Sequence, residues 1–204
     1  MKRLFVLWVL VVATFSARAE TPGILVFGDS ISAGYGLSHV DQGWVELLRG
    51  KLKDEGYGYP VVNASVSGET TAGGLARLPR ALAQHHPQIV IIELGGNDGL
   101  RALPAEQMRA NLAKMVDLSQ QAGARVLLLG MRIPPNYGPE YTEQFRQAFV
   151  DVARDKKVPL VPFLLNDIAL SANLMQADGF HPNELGQPKL LANSWPTLKP
   201  LLHK

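Results

Sequence analysis

From Glu20 onward the chain alternates short, continuous apolar runs with longer segments whose apolar residues recur at helical spacing. The runs Ile24–Phe27, Pro60–Asn63, Ile89–Leu94, Arg125–Gly130 and Pro159–Phe163 predict strands. Gly43–Asp54 carries Trp44, Leu47, Leu48 and Leu52 at helical spacing, and Thr71–Gln84 opens on a capping Thr and places Leu75, Leu78 and Leu82 on one face. Further helices are expected at about Pro104–Gln121, at Glu140–Lys156 and after Asn183, with Pro104 suited to a first turn and Gly123 to an end. Strands that read as apolar runs rather than alternations are buried on both faces. Five βα units joined by short loops therefore predict an α/β fold: a single three-layer α/β/α domain with a five-stranded, doubly wound parallel sheet, flavodoxin-like in plan. No internal repeat, linker or low-complexity segment interrupts residues 20–204, which are expected to form one domain.

The N-terminus breaks this pattern. Lys2 and Arg3 precede a run of ten apolar residues, Leu4–Ala13, and Ala17-Arg18-Ala19 supplies a small-residue cleavage site. Residues 1–19 therefore read as a secretory signal peptide. A spanning helix needs roughly 20 apolar residues, and Arg18 and Glu20 close this run early. No Cys follows it, so no lipoprotein anchor is expected, and the protein is expected to be exported, periplasmic or secreted, without a stable membrane anchor.

Composition changes the picture in two respects. The full chain of 204 residues has 20 Lys+Arg against 18 Asp+Glu, a formal charge of +2. Removal of residues 1–19 leaves 17 basic against 18 acidic side chains and a net charge of −1, which gives no reason to expect nucleic acid or an anionic membrane as partner. The absence of Cys excludes a disulfide framework, an Fe–S cluster, a Cys-based zinc site and a cysteine nucleophile.

Doubly wound sheets bind ligands outside the carboxyl ends of their strands, and small polar residues gather at those ends here. They are Gly28-Asp29-Ser30-Ile31-Ser32, Asn63-Ala64-Ser65-Val66-Ser67-Gly68, Gly95-Gly96-Asn97-Asp98-Gly99 and, near the end, Asp178-Gly179-Phe180-His181-Pro182. Each alone has an ordinary reading. Gly-Asp-Ser after a strand is often a turn with a helix cap, Gly-Gly-Asn-Asp a tight loop, and Asp178 a cap for the final helix. Together they supply a complete chemistry. A serine hydroxyl needs a base, and the base needs an orienter. Asp178 and His181, three residues apart, can share one face of a turn, so Asp178 would hold one ring nitrogen while the other faces Ser30. The Ser30 and Gly68 backbone N–H groups and the Asn97 amide are three plausible oxyanion donors. A nucleotide-binding G-x-G-x-x-G is missing after the first strand, and Ser32 stands where a G-x-S-x-G elbow requires glycine. His39, His85, His86 and His203 lie in loops or at the terminus without the clustered ligands a metal needs, so no metal and no cofactor are expected.

These four blocks, in this order, resemble the SGNH (GDSL-type) hydrolase family, and in particular its periplasmic acyl-CoA thioesterase/lysophospholipase/arylesterase branch. Gly74-Leu75-Ala76-Arg77-Leu78-Pro79 and Pro135-Asn136-Tyr137-Gly138 are similar to that branch as well, and the likeness spans nearly all of residues 20–204. Ile31 replaces the Leu of the motif's name, a conservative departure. The resemblance implies ester and thioester hydrolysis through an acyl-enzyme with Ser30, Asp178 and His181 as the catalytic triad. It also implies an acyl groove lined by Leu100, Leu103, Ile133 and Pro134, whose ordinary alternative is core packing. Arg77 and Arg101 are cations for an anionic head group or for solvent. The partner is then a small-molecule ester, thioester or lysophospholipid, and the enzyme a monomer. Two other readings remain open: a carbohydrate O-deacetylase, which needs a polar sugar cleft, and a non-catalytic periplasmic lipid-binding module with a vestigial triad.

Overall fold

A computed structural model describes residues 23–203, so the proposed signal segment lies outside the described residues. Among these residues five strands form one sheet: β1 Ile24–Gly28, β2 Val61–Asn63, β3 Ile89–Glu93, β4 Arg125–Leu129 and β5 Leu160–Val161. They are parallel throughout, in the order β2-β1-β3-β4-β5. Every residue of β1 and β3 is buried, as expected for strands covered on both faces.

Among the described residues, seven α-helices accompany the sheet: α1 Ser30–Ala33, α2 Trp44–Asp54, α3 Thr71–His85, α4 Gly96–Leu100, α5 Ala105–Gln121, α6 Pro139–Lys156 and α7 Gln187–Leu198. The chain steps from β1 to β2 in one direction and from β2 through β3 and β4 to β5 in the other. Right-handed crossovers then put α2 on one face and α3, α5 and α6 on the opposite face. The packing agrees, since α5 contacts both α3 and α6, while α7 returns to pack on α2. Phe27, Ile91, Leu127, Phe145 and Phe149 lie in the core with almost no exposure, and burying a side chain of this kind contributes ~1.5–3 kcal/mol. Trp44 and Trp195 join this core. Among the described residues, no helix is long and apolar enough to cross a membrane.

Two details differ from the sequence pattern. The last strand is only Leu160–Val161, because Pro159 and Pro162 on either side lack the N–H that a ladder requires. The α3 cap is Thr70, whose hydroxyl accepts the Gly73 N–H at 3.3 Å, rather than Thr71. Thr71 is instead the first helical residue and turns inward: its N–H and hydroxyl donate to Asp98 of α4 at 2.8 and 2.6 Å, and its oxygen accepts from Asn111 of α5 at 3.0 Å. This buried cluster fixes the short α4 against two long helices.

Replacing Thr71 by Val removes the shared hydroxyl and leaves an Asp98 oxygen and an Asn111 N–H without a partner. Unfolding in urea should show a loss of about 1–3 kcal/mol. An unchanged midpoint would mean that the cluster does not hold α4.

Candidate active site

The sheet order reverses between β1 and β3, and the chain leaves both strands at this switch point. After β1, the Asp29 side chain accepts the Ile31 N–H at 3.0 Å and turns the backbone directly into the one-turn helix α1. Ser30 is the first residue of that helix and retains only 9% exposure. Its partner arrives from the far end of the chain. The loop before α7 folds back on itself, with the Gln176 N–H donating to the His181 carbonyl at 2.7 Å. Asp178 closes the loop by accepting the Phe180 and His181 N–H groups on Oδ1 at 2.9 and 3.0 Å.

In this arrangement Asp178 Oδ2 lies 2.7 Å from His181 Nδ1, and His181 Nε2 lies 2.8 Å from Ser30 Oγ. Partial burial works to raise the Asp178 pKa, but the His181 ring and the two backbone N–H groups outweigh it and hold the carboxyl below its ordinary range. An ionised Asp178 favours a proton on Nδ1 and leaves the Nε2 lone pair facing the serine hydroxyl. The Tyr35 ring packs against the imidazole with centroids 4.8 Å apart. Tyr35 is itself held by its N–H to the Ser30 carbonyl at 3.0 Å, and by the Gln176 amide on its own carbonyl at 2.8 Å.

The expected oxyanion donors meet beside Ser30. Neither the Ser30 nor the Gly68 N–H donates to an acceptor among the described residues. Gly68 has φ +78°, a left-handed conformation suited to glycine, and its carbonyl accepts Arg101 Nη2 at 3.0 Å. Asn97 Nδ2 donates to Asp29 Oδ2 at 3.1 Å. An amide nitrogen carries two hydrogens, so one remains for a ligand. Ser65 Oγ accepts the Gly28 N–H at 3.1 Å, and Asn63 Nδ2 donates to the Ser32 carbonyl at 2.8 Å, so the second block is tied to the first.

A cavity of about 590 Å³ opens over these groups. Leu100, Ile133 and Pro134 line it, but Leu103 does not; it is partly exposed, and its carbonyl accepts the Tyr141 hydroxyl. Sequence reasoning missed Tyr35, Met131, Phe163, Leu165 and Met175, which complete the apolar wall from segments after β1, β4 and β5. Met131 adjoins the run Arg125–Gly130 and Phe163 ends the run Pro159–Phe163, but periodicity offered little signal for the others. The two arginines are engaged elsewhere: Arg101 on the Gly68 carbonyl, and Arg77 in an ion pair with Glu69, its guanidinium 4.0 Å from the Phe27 ring centre. Two acids under the site also went unassigned in the sequence. Burial pushes Asp29 up from its ordinary 3.8 to about 6, against the opposing pull of the Ile31 N–H, His181 and Asn97. Burial, and then the Asp29 charge, push Glu93 well above the usual carboxylate range.

Fold and site together define a class: a parallel α/β protein with a serine–histidine–aspartate relay at the carboxyl edge of its sheet. The chain belongs to the GDSL-like Lipase/Acylhydrolase family, whose family model matches residues 26–188. It is 55% identical over 193 residues to esterase TesA of Pseudomonas aeruginosa, covering 95% of this chain and 94% of that one. It is 41% identical over 194 residues to thioesterase 1/protease 1/lysophospholipase L1 of Escherichia coli K12, covering 95% and 91% respectively. The crystal structure of TesA superposes with a TM-score of 0.86 at 56% identity, over 88% of this chain and 99% of that chain.

Asp29 gives the site a pH signature. Between its ordinary 3.8 and about 6, the folded protein keeps a proton that the unfolded chain releases. Its contribution to stability is therefore complete below the lower value and is lost as pH rises through the upper one. In urea unfolding from about pH 4 to about pH 7, Asp29→Asn should gain on the wild type as pH rises through this window. Parallel stability curves would show that Asp29 titrates normally.

Proposed function

We propose that the protein is an exported serine hydrolase that cleaves carboxylic esters and thioesters of medium or long acyl chains, lysophospholipids included. The observation that carries this reading is the unbroken line Asp178–His181–Ser30, with contacts of 2.7 and 2.8 Å, at the floor of an apolar cavity. The names of the Pseudomonas and Escherichia relatives, an esterase and a thioesterase/lysophospholipase, support the same class of substrate.

The steps follow from the geometry. His181 Nε2 takes the proton as Ser30 Oγ bonds to the carbonyl carbon, and Asp178 stabilises the imidazolium. The carbonyl oxygen becomes an oxyanion, facing the Ser30 and Gly68 N–H groups and the free hydrogen of the Asn97 amide. Collapse breaks the bond to the leaving alcohol or thiol, which receives the proton from His181. Water, deprotonated by the same nitrogen, then attacks the acyl-enzyme; its collapse releases the carboxylic acid and returns the proton to Ser30. Leu100, Ile133 and Pro134 bind the acyl chain in this scheme. Leu103 stands outside the cavity and is given no contact.

The apolar lining weighs against a sugar deacetylase, and the intact relay weighs against a mere lipid-binding module. Export to the periplasm rests on the signal features of residues 1–19, with the hydrolase domain following from residue 20.

Hydrolysis of para-nitrophenyl esters from acetyl to palmitoyl should rise towards medium or long chains. Ser30→Ala and His181→Ala should each abolish nearly all turnover, and the double variant should lose little more, because the pair acts as a unit. A sharp acetyl preference would redirect the assignment to deacetylation, and a folded but inactive wild type would redirect it to binding. Asn97→Ala should lower kcat by about 10²–10³-fold. A change confined to KM would remove Asn97 from the oxyanion hole.

A further inference from the structure

Beneath the nucleophile turn lies a carboxyl that none of these steps uses. Glu93 ends β3 directly opposite Gly28 of β1 and is wholly buried. Its contacts are hydrogen bonds to the turn above it: the Ser32 hydroxyl donates to Oε2 at 2.6 Å and the Asp29 N–H at 3.3 Å, while Oε1 has no partner. The Trp44 indole N–H reaches the same Ser32 oxygen at 3.3 Å. A buried carboxyl costs folding energy that an apolar side chain would not. The backbone above is also shaped around it. A Cβ on Gly28 would lie 2.6 Å from Glu93 Oε2 and 2.9 Å from Ser32 Oγ, so any other residue would push the acid away.

The two donors bracket Ser30, one residue before it and two after. Asp29 in turn accepts the Asn97 amide, so the same acid braces an oxyanion donor at one remove. We propose that Glu93 is a positioning residue for the nucleophile: it pins the turn on both sides of Ser30, keeping Oγ on His181 and the Ser30 N–H aimed at the oxyanion, and Gly28 is glycine to admit it. Glu93 touches no substrate. It acts through the Asp29 backbone and the Ser32 side chain, and the inference rests on Ser30 being the nucleophile.

The test compares Glu93→Gln, Glu93→Leu, Ser32→Ala and Ser30→Ala in the mature protein. It reads kcat and KM on a para-nitrophenyl ester, the rate of serine phosphonylation by a para-nitrophenyl alkylphosphonate, and the fraction of titratable sites. Gln keeps an acceptor under the turn and should hold kcat within about 3-fold, whereas Leu should lower kcat and phosphonylation together by about 10²-fold with KM nearly constant, the scale of a misplaced reacting group. Ser32→Ala removes one tether from a small residue and should cost about 10-fold in kcat; it carries the test if Glu93→Leu does not fold. Wild-type kcat in Glu93→Leu or Ser32→Ala, equal losses in Gln and Leu, or a loss explained wholly by fewer titratable sites would each overturn the proposal. Retained turnover in Ser30→Ala would instead overturn the assignment of the nucleophile, so the two failures are distinguishable.

Discussion

The parallel pairing of β1 with β3 is the constraint on which the site depends. Its register sets Gly28 beside Glu93, so the two chains leave the sheet at the same height at the point where strand order reverses. Each exit turns immediately into a short helix, α1 or α4. Ser30 and Asn97 thus face one another across a single inter-strand gap of ~4.8 Å, and the Asp29–Asn97 hydrogen bond closes it. Shifting the register by one residue would reverse the direction of every side chain at the exit. Buried polar groups hold the two exits in place: Glu93 of β3 binds the turn into α1, and Asp98 of α4 binds Thr71 of α3, which accepts from Asn111 of α5.

This platform contrasts with the segment that brings the proposed base, His181. His181 and Asp178 belong to a loop with little regular structure, held by its own backbone and by Gln176, which reaches both Tyr35 and Pro182. The proposed nucleophile Ser30 and the Asn97 amide therefore follow closely on β1 and β3, strands buried throughout, whereas Gly68 and the imidazole come from more exposed loops. Its orientation relies on local turns, on the Asp178 carboxylate and on the Tyr35 ring. The division suits the chemistry. Charge develops at the oxyanion, where donors must already be in place, whereas the base has to exchange a proton with an incoming group.

The cavity follows from the same topology. Moving along the sheet from β1 to β5, the loops that leave the carboxyl ends become more apolar, from Ser30 and Asn97 to Ile133, Pro134, Phe163 and Leu165. A chain lying on this edge meets polar donors at one end and hydrocarbon along the rest. Of the two arginines, Arg77 is paired with Glu69, and the exposed Arg101 donates to the Gly68 carbonyl at the cavity.

The sequence by itself determined the layer order and every strand and long helix to within a few residues, and it singled out Ser30, Gly68, Asn97, Asp178 and His181, which the fold brings to one cavity. These are local facts: apolar runs name buried strands, helical spacing names amphipathic helices, and small polar blocks at strand ends mark where a backbone can approach a ligand. The strand expected over Pro159–Phe163 is present, shortened to Leu160–Val161 between its two prolines. What only the tertiary structure decided is which distant residues share a surface. Leu103 turned away from the cavity and Tyr35, Phe163 and Met175 turned into it, because loop direction depends on packing across elements rather than on spacing within one. In the sequence Glu93 falls inside the apolar run Ile89–Leu94, and its place beneath Ser30 follows from cross-strand register, which no single segment encodes.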